Sequence, residues 1–373
     1  MSNSKLFTPL SVGPYKLSHR IAMAPLTRFR ATSEHVPTPL VAEYYSQRAA
    51  VAGTLLVTEA TFVSPRAAGF ANIPGIWTPE QIEGWKLITS AVHKKGSYIF
   101  MQIWALGRAA NPATLKQEFN LPVISSSSVP MEGGAVPRAL TIPEIQSFIA
   151  DFAQAAKNAI AAGFDGVEIH GANGYLIDQF IQSVANKRTD SYGGSIENRS
   201  RFAFEVTKAV VDAIGPERVG LRLSPFSTFQ SMKMPADEIE PQFLHLIRSL
   251  RPLHLAYLHL VESRVAGIAD VEATEKIDPF IDAWGNTSPI LLAGGFKPDS
   301  ARKAVDEDYK DKNVVVVFGR FFIANPDLVF RLREGLALTQ YNRETFYKVE
   351  SPEGYTDYPF SDKYLTSNAA AKA

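Results

Sequence analysis

The chain has 373 residues, 46% of them hydrophobic and 11% aromatic, with Lys+Arg and Asp+Glu both at 38 and no cysteine. That is enough apolar surface for a large core, and the balanced charge leaves no basic field to gather nucleic acid or anionic lipid. Without cysteine there is no disulfide, no thiolate nucleophile and no Cys-ligated zinc or iron–sulfur centre, so a redox role has to come from a bound organic cofactor.

The first ten residues, Met-Ser-Asn-Ser-Lys-Leu-Phe-Thr-Pro-Leu, lack the apolar core of a signal peptide, and apolar runs elsewhere are strand-length. A cytoplasmic protein with no membrane partner is expected. Residues 10–17 read as two short strands about Gly13-Pro14, a hairpin suited to close one end of a barrel as a lid. Residues 20–25 are the first barrel strand, 39–48 a helix and 53–60 the second strand. Thr78-Pro79-Glu80-Gln81 is a capping box with Pro at the first helical position, opening a helix to Gly96.

Residues 98–104 form strand three, followed by an excursion over about 105–140. A loop that long inside a compact domain is usually functional, so it is read as a substrate-access cap over the barrel mouth. Thr141 to Glu144 is a second capping box, leading a helix to Gly163 and then strand four at 166–170. Strands at 219–224, 255–261, 289–293 and 313–318 alternate with helices at 198–214, near 240–250, at 276–284, after Pro298 and at 326–334. Eight strand-then-helix units make a (β/α)8 TIM barrel in the α/β class. One domain over 1–373 is expected. A bare barrel takes roughly 250 residues, so the surplus sits in the hairpin, the 105–140 excursion and a C-terminal segment over about 336–373, whose last residues, 369–373, read as a frayed tail.

The fourth strand delivers His170, Asn173 and Tyr175 into a glycine-bearing turn at the carboxyl end of the barrel. Polar residues there often only cap the next helix, but capping does not require His, Asn and Tyr at this spacing. His170 and Asn173 offer neutral donors for a carbonyl or phenolate oxygen, and Tyr175 offers a proton. No Gly-x-Gly-x-x-Gly is present, so a Rossmann site is not supported. A phosphate cradle is instead read at Gly294-Gly295 after strand seven and Gly319-Arg320 after strand eight.

The run His170-Gly-Ala-Asn173-Gly-Tyr175-Leu, with the later Gly193-Gly194-Ser195-Ile196-Glu197-Asn198-Arg199, resembles the signature of the old yellow enzymes, flavin-dependent ene-reductases. The resemblance runs nearly the whole chain and looks closest to fungal members, including those of ergot alkaloid pathways. It implies FMN as cofactor, NADPH or NADH as hydride donor, and ping-pong reduction of the activated C=C bond of an α,β-unsaturated aldehyde or ketone. His170 and Asn173 would hold the carbonyl oxygen and Tyr175 would donate the proton. Gln102 and Arg222 would face the pyrimidine side of the flavin and Thr27 a ring carbonyl; Pro25 and Ala60 would also touch the cofactor. Trp104, Phe296 and Tyr347 would be aromatic walls of the substrate pocket. Where relatives often carry asparagine after strand five, this chain has Gln230, which bears on substrate range.

Three alternatives stand beside this. Glu168 and His170 alternate onto one strand face and can both ligate a cation, which would suit a metal-dependent lyase or isomerase. The other histidines form no matching strand-end cluster, so no metal is expected. A non-catalytic binding protein is the second, and the third, within the family, is a specialised secondary-metabolite aldehyde reductase. Monomer and homodimer are both open.

Overall fold

The structure, a computed structural model, describes residues 4–263, 265, 266, 269, 270 and 275–372. Eight parallel strands close into a barrel: β1 (Ile21–Met23), β2 (Leu55–Val57), β3 (Tyr98–Trp104), β4 (Gly166–His170), β5 (Val219–Leu223), β6 (Tyr257–Val261), β7 (Ile290–Ala293) and β8 (Val314–Phe318). β1 pairs with both β2 and β8, and β2 with β3, which completes the ring. The sequence explains the strands: β8 reads Val-Val-Val-Val-Phe and is buried throughout, as a strand covered on both faces must be. Helices lie between the strands on the outside; the helix Ile142–Ala161 buries Phe148 and Phe152, and its Thr141 hydroxyl accepts the Glu144 N–H, forming the expected capping box.

Strand two is shorter than its apolar run. It stops at Val57 and pairing resumes at Thr61–Phe62, because the Thr58 hydroxyl accepts the Gln102 N–H and donates to the Glu59 carbonyl. The hairpin, Leu10–Val12 against Tyr15–Leu17, closes the amino end of the barrel. Tyr15 donates to the Asp165 carbonyl just before β4 and packs edge-on against Phe100 inside the barrel.

The excursion after β3 is more ordered than a loop. It holds the helix Pro112–Phe119, started by Asn111, whose side chain accepts from Ala113 and Thr114, and stopped by a left-handed Asn120. At the C-terminal end Asp362–Lys372 is helical; of the tail expected over 369–373, residue 373 lies outside the described residues. Ser361 caps its first turn and is bonded to Asp327, and the Tyr364 hydroxyl donates to the Ala50 carbonyl, so the alanine-rich end continues a helix anchored at its start. Upstream, three buried arginines hold the segment that reaches the cavity. Arg28 donates to the Phe346 and Gly354 carbonyls, Arg30 to those of Thr345 and Glu353, and Arg48 to that of Tyr355. Among the described residues, no helix is long and apolar enough to cross a membrane.

Candidate active site

A cavity of about 510 Å³ opens at the carboxyl ends of the strands. His170, Asn173, Tyr175, Pro25, Thr27, Ala60, Gln102, Arg222, Gly294, Gly295, Gly319, Arg320, Trp104, Phe296 and Tyr347 all line it. Residues from seven strand ends and the C-terminal segment thus meet in one place, as barrel geometry allows.

His170 is the last residue of β4 and is buried. Its Nδ1 accepts the Ala172 N–H at 3.3 Å, which assigns the ring proton to Nε2. Burial, with Arg222 and His259 nearby, pushes its pKa well below the usual range, so the ring is neutral at pH 7 and offers a neutral N–H. The following turn is tied down at each residue. The Asn173 N–H donates to Ser224 Oγ at 2.7 Å, Gly174 N–H to Asp178 Oδ2 at 2.8 Å, and Gln179 Nε2 to the Gly174 carbonyl at 2.8 Å. Asn173 takes a left-handed φ of 58°, a conformation that asparagine tolerates better than most residues.

Tyr175 starts the short helix Leu176–Ile181. Its ring packs edge-on against Trp104 at 4.6 Å and against His170 at 5.0 Å, fixing the phenol beside the imidazole. Burial raises its pKa above that of a free phenol and Gln230 partly offsets this, so the hydroxyl stays protonated at neutral pH. Gln230 itself sits in a left-handed conformation, φ 57°. Arg108, just after β3, clamps that loop by donating to the Gln230 and Ser231 carbonyls and, across the excursion, to the Val129 carbonyl.

The floor of the cavity is polar. Gln102 Nε2 donates to Glu168 Oε1 at 2.7 Å, while the Tyr257 hydroxyl and His259 Nδ1 donate to Oε2. Both carboxylate oxygens are engaged, so Glu168 does not turn with His170 toward a shared cation. Among the described residues no group of three His, Asp or Glu side chains is placed to hold a metal.

The model of the NADH:flavin oxidoreductase / NADH oxidase family matches residues 5–339. The chain belongs to that family. Among relatives, an "NADP-dependent oxidoreductase lnbE" of Aspergillus flavus is 57% identical over 369 residues, covering 96% of this chain and 97% of that one. A "Chanoclavine-I aldehyde reductase fgaOx3" of Penicillium roqueforti is 54% identical over 369 residues, covering 99% and 100%. A "Probable inactive reductase easA" of Epichloe festucae var. lolii is 55% identical over 377 residues, covering 99% and 98%. The solved old yellow enzyme homologue from Zymomonas mobilis superposes with a TM-score of 0.88 at 40% identity, covering 95% and 99%. The old yellow enzyme resemblance read from the His170 to Tyr175 run therefore holds across the fold, and this flavin oxidoreductase is an enzyme whose cofactor is FMN.

The cavity fits FMN. Arg222 Nε is buried without a partner among the described residues, which suits a guanidinium whose partner is a bound ligand. Gly295 has a φ of 67°, and a Cβ at Gly294 would come within 2.4 Å of Glu262 Oε2, so both positions of this turn exclude side chains and leave its backbone bare.

Sequence reading missed part of the wall. Phe29, Phe70 and Tyr341 also line the cavity, and Phe29 packs edge-on against Tyr347 at 5.5 Å. The one available signal was Phe29's place directly after the first strand's Thr27-Arg28. Of the three expected walls, Trp104 is buried whereas Tyr347, at 45% exposed, forms the rim.

Proposed function

We propose that the protein is an FMN-dependent, NADPH-using ene-reductase that reduces the activated C=C bond of α,β-unsaturated aldehydes or ketones. The observation that carries it is the neutral Nε2–H of His170, assigned by the Ala172 bond, lining one cavity with Asn173 and the protonated Tyr175. Bound FMN supplies two-electron transfer between a nicotinamide and an electron-poor alkene. Gln102 and Arg222 hold the pyrimidine edge of the ring, with Pro25, Thr27 and Ala60 around it, while Gly294, Gly295, Gly319 and Arg320 take the phosphate. His170 and Asn173 donate to the substrate carbonyl and stabilise the negative charge that grows on its oxygen. Tyr175 hands its proton to the α-carbon. Trp104, Phe296 and Tyr347 flank the substrate, and the whole chain, 1–373, acts as one FMN-binding domain.

NADPH is favoured by the relative named as NADP-dependent, and an enal substrate by the relative named as an aldehyde reductase. The latter also favours, within this reading, a specialised secondary-metabolite aldehyde reductase. Since one relative is named inactive, turnover is what an experiment has to establish. The yellow holoenzyme should reduce cinnamaldehyde or cyclohexenone at the C=C bond with NADPH, and the double replacement of His170 and Asn173 by Ala should weaken binding of a phenol while FMN stays bound. Flavin reduction by NADPH without turnover of any activated alkene would overturn the proposal.

A further inference from the structure

Beneath the cavity floor lies a buried polar layer of which the roles above use only Gln102. At its centre is Glu168, fully buried on β4, two residues before His170. It accepts from Gln102 Nε2 at 2.7 Å, from the Tyr257 hydroxyl at 3.0 Å and from His259 Nδ1 at 2.8 Å. Strand register builds this set: Gln102 on β3 is opposite Glu168, and Arg222 on β5 is opposite His170 on one side and His259 on the other.

Burial raises the carboxyl's pKa, but the His259 Nδ1–H bond, the charge of Arg222 and the Gln102 bond outweigh it and hold Glu168 below the usual glutamate range. A carboxylate only accepts, so it fixes the protons around it. His259, whose pKa burial lowers, is neutral with its proton on Nδ1, which leaves a bare lone pair at Nε2, an atom without a partner among the described residues. Gln102 is fixed as well. With Nε2 committed to Glu168, the atom it presents to the cavity is Oε1, an acceptor. Beside it Arg222 presents only donors, and the charge of Glu168 acts on Arg222 through space. An oxidised isoalloxazine ring carries one N–H, set between two carbonyls. An acceptor next to a cation is the complement of that edge.

We propose that Glu168 is a positioning residue for the flavin: it sets which atom Gln102 turns to the ring, and its charge offsets that of Arg222, holding the flavin potential below the value Arg222 alone would impose. This uses only the FMN of the family and is independent of which alkene is reduced. Two substitutions separate the two halves. In Glu168→Gln the new amide still accepts from Gln102, and His259 can change tautomer to accept its N–H, so FMN stays bound within about threefold of its wild-type affinity. The lost negative charge shifts the midpoint potential to more positive values. Glu168→Asp keeps the charge but is one methylene short of Gln102, so FMN affinity falls about tenfold and the potential moves less than in Glu168→Gln.

The potential is read by dye equilibration of the holoenzyme and the affinity by flavin fluorescence. A Glu168→Gln holoenzyme with the wild-type potential overturns the charge role, and Glu168→Asp with wild-type affinity overturns the orienting role. Should either variant fail to fold, wild-type protein stripped of FMN and titrated with 3-methyl-FMN carries the test. That analogue cannot donate to Oε1 and should bind at least about tenfold more weakly than FMN; equal affinity refutes the assignment.

Discussion

The hairpin at the amino end of the barrel and three cavity residues at its carboxyl end meet the same backbone problem differently. At the amino end the hairpin turns through Gly13 with a φ of 53°, and the interior there is filled by Val12, Leu17, Leu55, Phe100 and Leu291. At the carboxyl end Phe29, Asn173 and Gln230 take φ values of 58°, 58° and 57°, and each lines the cavity. A left-handed residue with a side chain costs roughly 1–2 kcal/mol that glycine avoids. Glycine serves where only the chain's path matters, as at Gly13 and Gly295; Phe29, Asn173 and Gln230 keep side chains in that conformation because the cavity needs what they carry. Strain of this kind is tolerated where surrounding contacts over-determine it, and here Ser224 holds the Asn173 N–H while Arg108 holds the Gln230 carbonyl.

Substitutions at the two ends should therefore separate activity from stability. The largest effect is expected for Tyr175→Phe, which removes a hydroxyl and keeps the ring packed against Trp104 and His170. Flavin reduction by NADPH should be nearly unaffected, while turnover of a simple enone falls about 10²–10⁴-fold, the usual span of general acid catalysis. Rapid-mixing kinetics of the two half-reactions checks it, and equal loss in both would remove Tyr175 from the proton step.

Gly13→Ala should do the converse. The added Cβ would lie 2.1 Å from the Glu217 carbonyl oxygen, at a positive φ, so stability to urea should drop by about 2–4 kcal/mol. The kinetic constants of the protein that remains folded should be unchanged, since the hairpin is at the end away from the cavity. A smaller effect, of opposite sign on stability, is expected for Gln230→Gly. Relief of the left-handed side chain should raise stability by about 1 kcal/mol, while enone turnover falls because Tyr175 loses the neighbour that offsets its raised pKa. A stability gain without loss of turnover would mean that Gln230 is strained for no catalytic end.

The contrast also explains what the sequence could reveal. β3 and β4 are found at their expected bounds, 98–104 and 166–170: β3 is an apolar run broken only by Gln102, and β4 is marked by Val167 and Ile169 on one face and the glycine-bearing turn after His170. Fourteen of the fifteen expected cavity residues meet in one place because they lie at or just after a strand's carboxyl end, which local pattern can locate; Tyr347 comes from the C-terminal segment. The helix Pro112–Phe119 was hidden within the excursion by its length of eight residues. The Glu168 layer was hidden for another reason. Its partners lie 66, 89 and 91 positions away in the chain, and only the register of β3, β5 and β6 brings them together. Nothing near His259 marks it, and Arg108 likewise acts on carbonyls more than a hundred residues downstream.

The three guanidiniums that grip the C-terminal segment give the molecule an order of assembly. Arg28 belongs to the first strand's loop, yet one of its acceptors, the Gly354 carbonyl, comes 326 residues later. On a ribosome, which releases the amino-terminal part of a chain first, that arginine stays in water while all eight strands are made. A chain that stops short of Thr345 would leave Arg28 and Arg30 with guanidinium N–H groups unsatisfied in a buried setting, at a cost of about 1–3 kcal/mol for each lost partner. Phe346 and Tyr347, which complete the cavity wall, arrive on the same segment. Residues 345–355 thus both supply acceptors to the guanidiniums of the first loop and close the pocket, so the binding site is finished only once that late segment is in place.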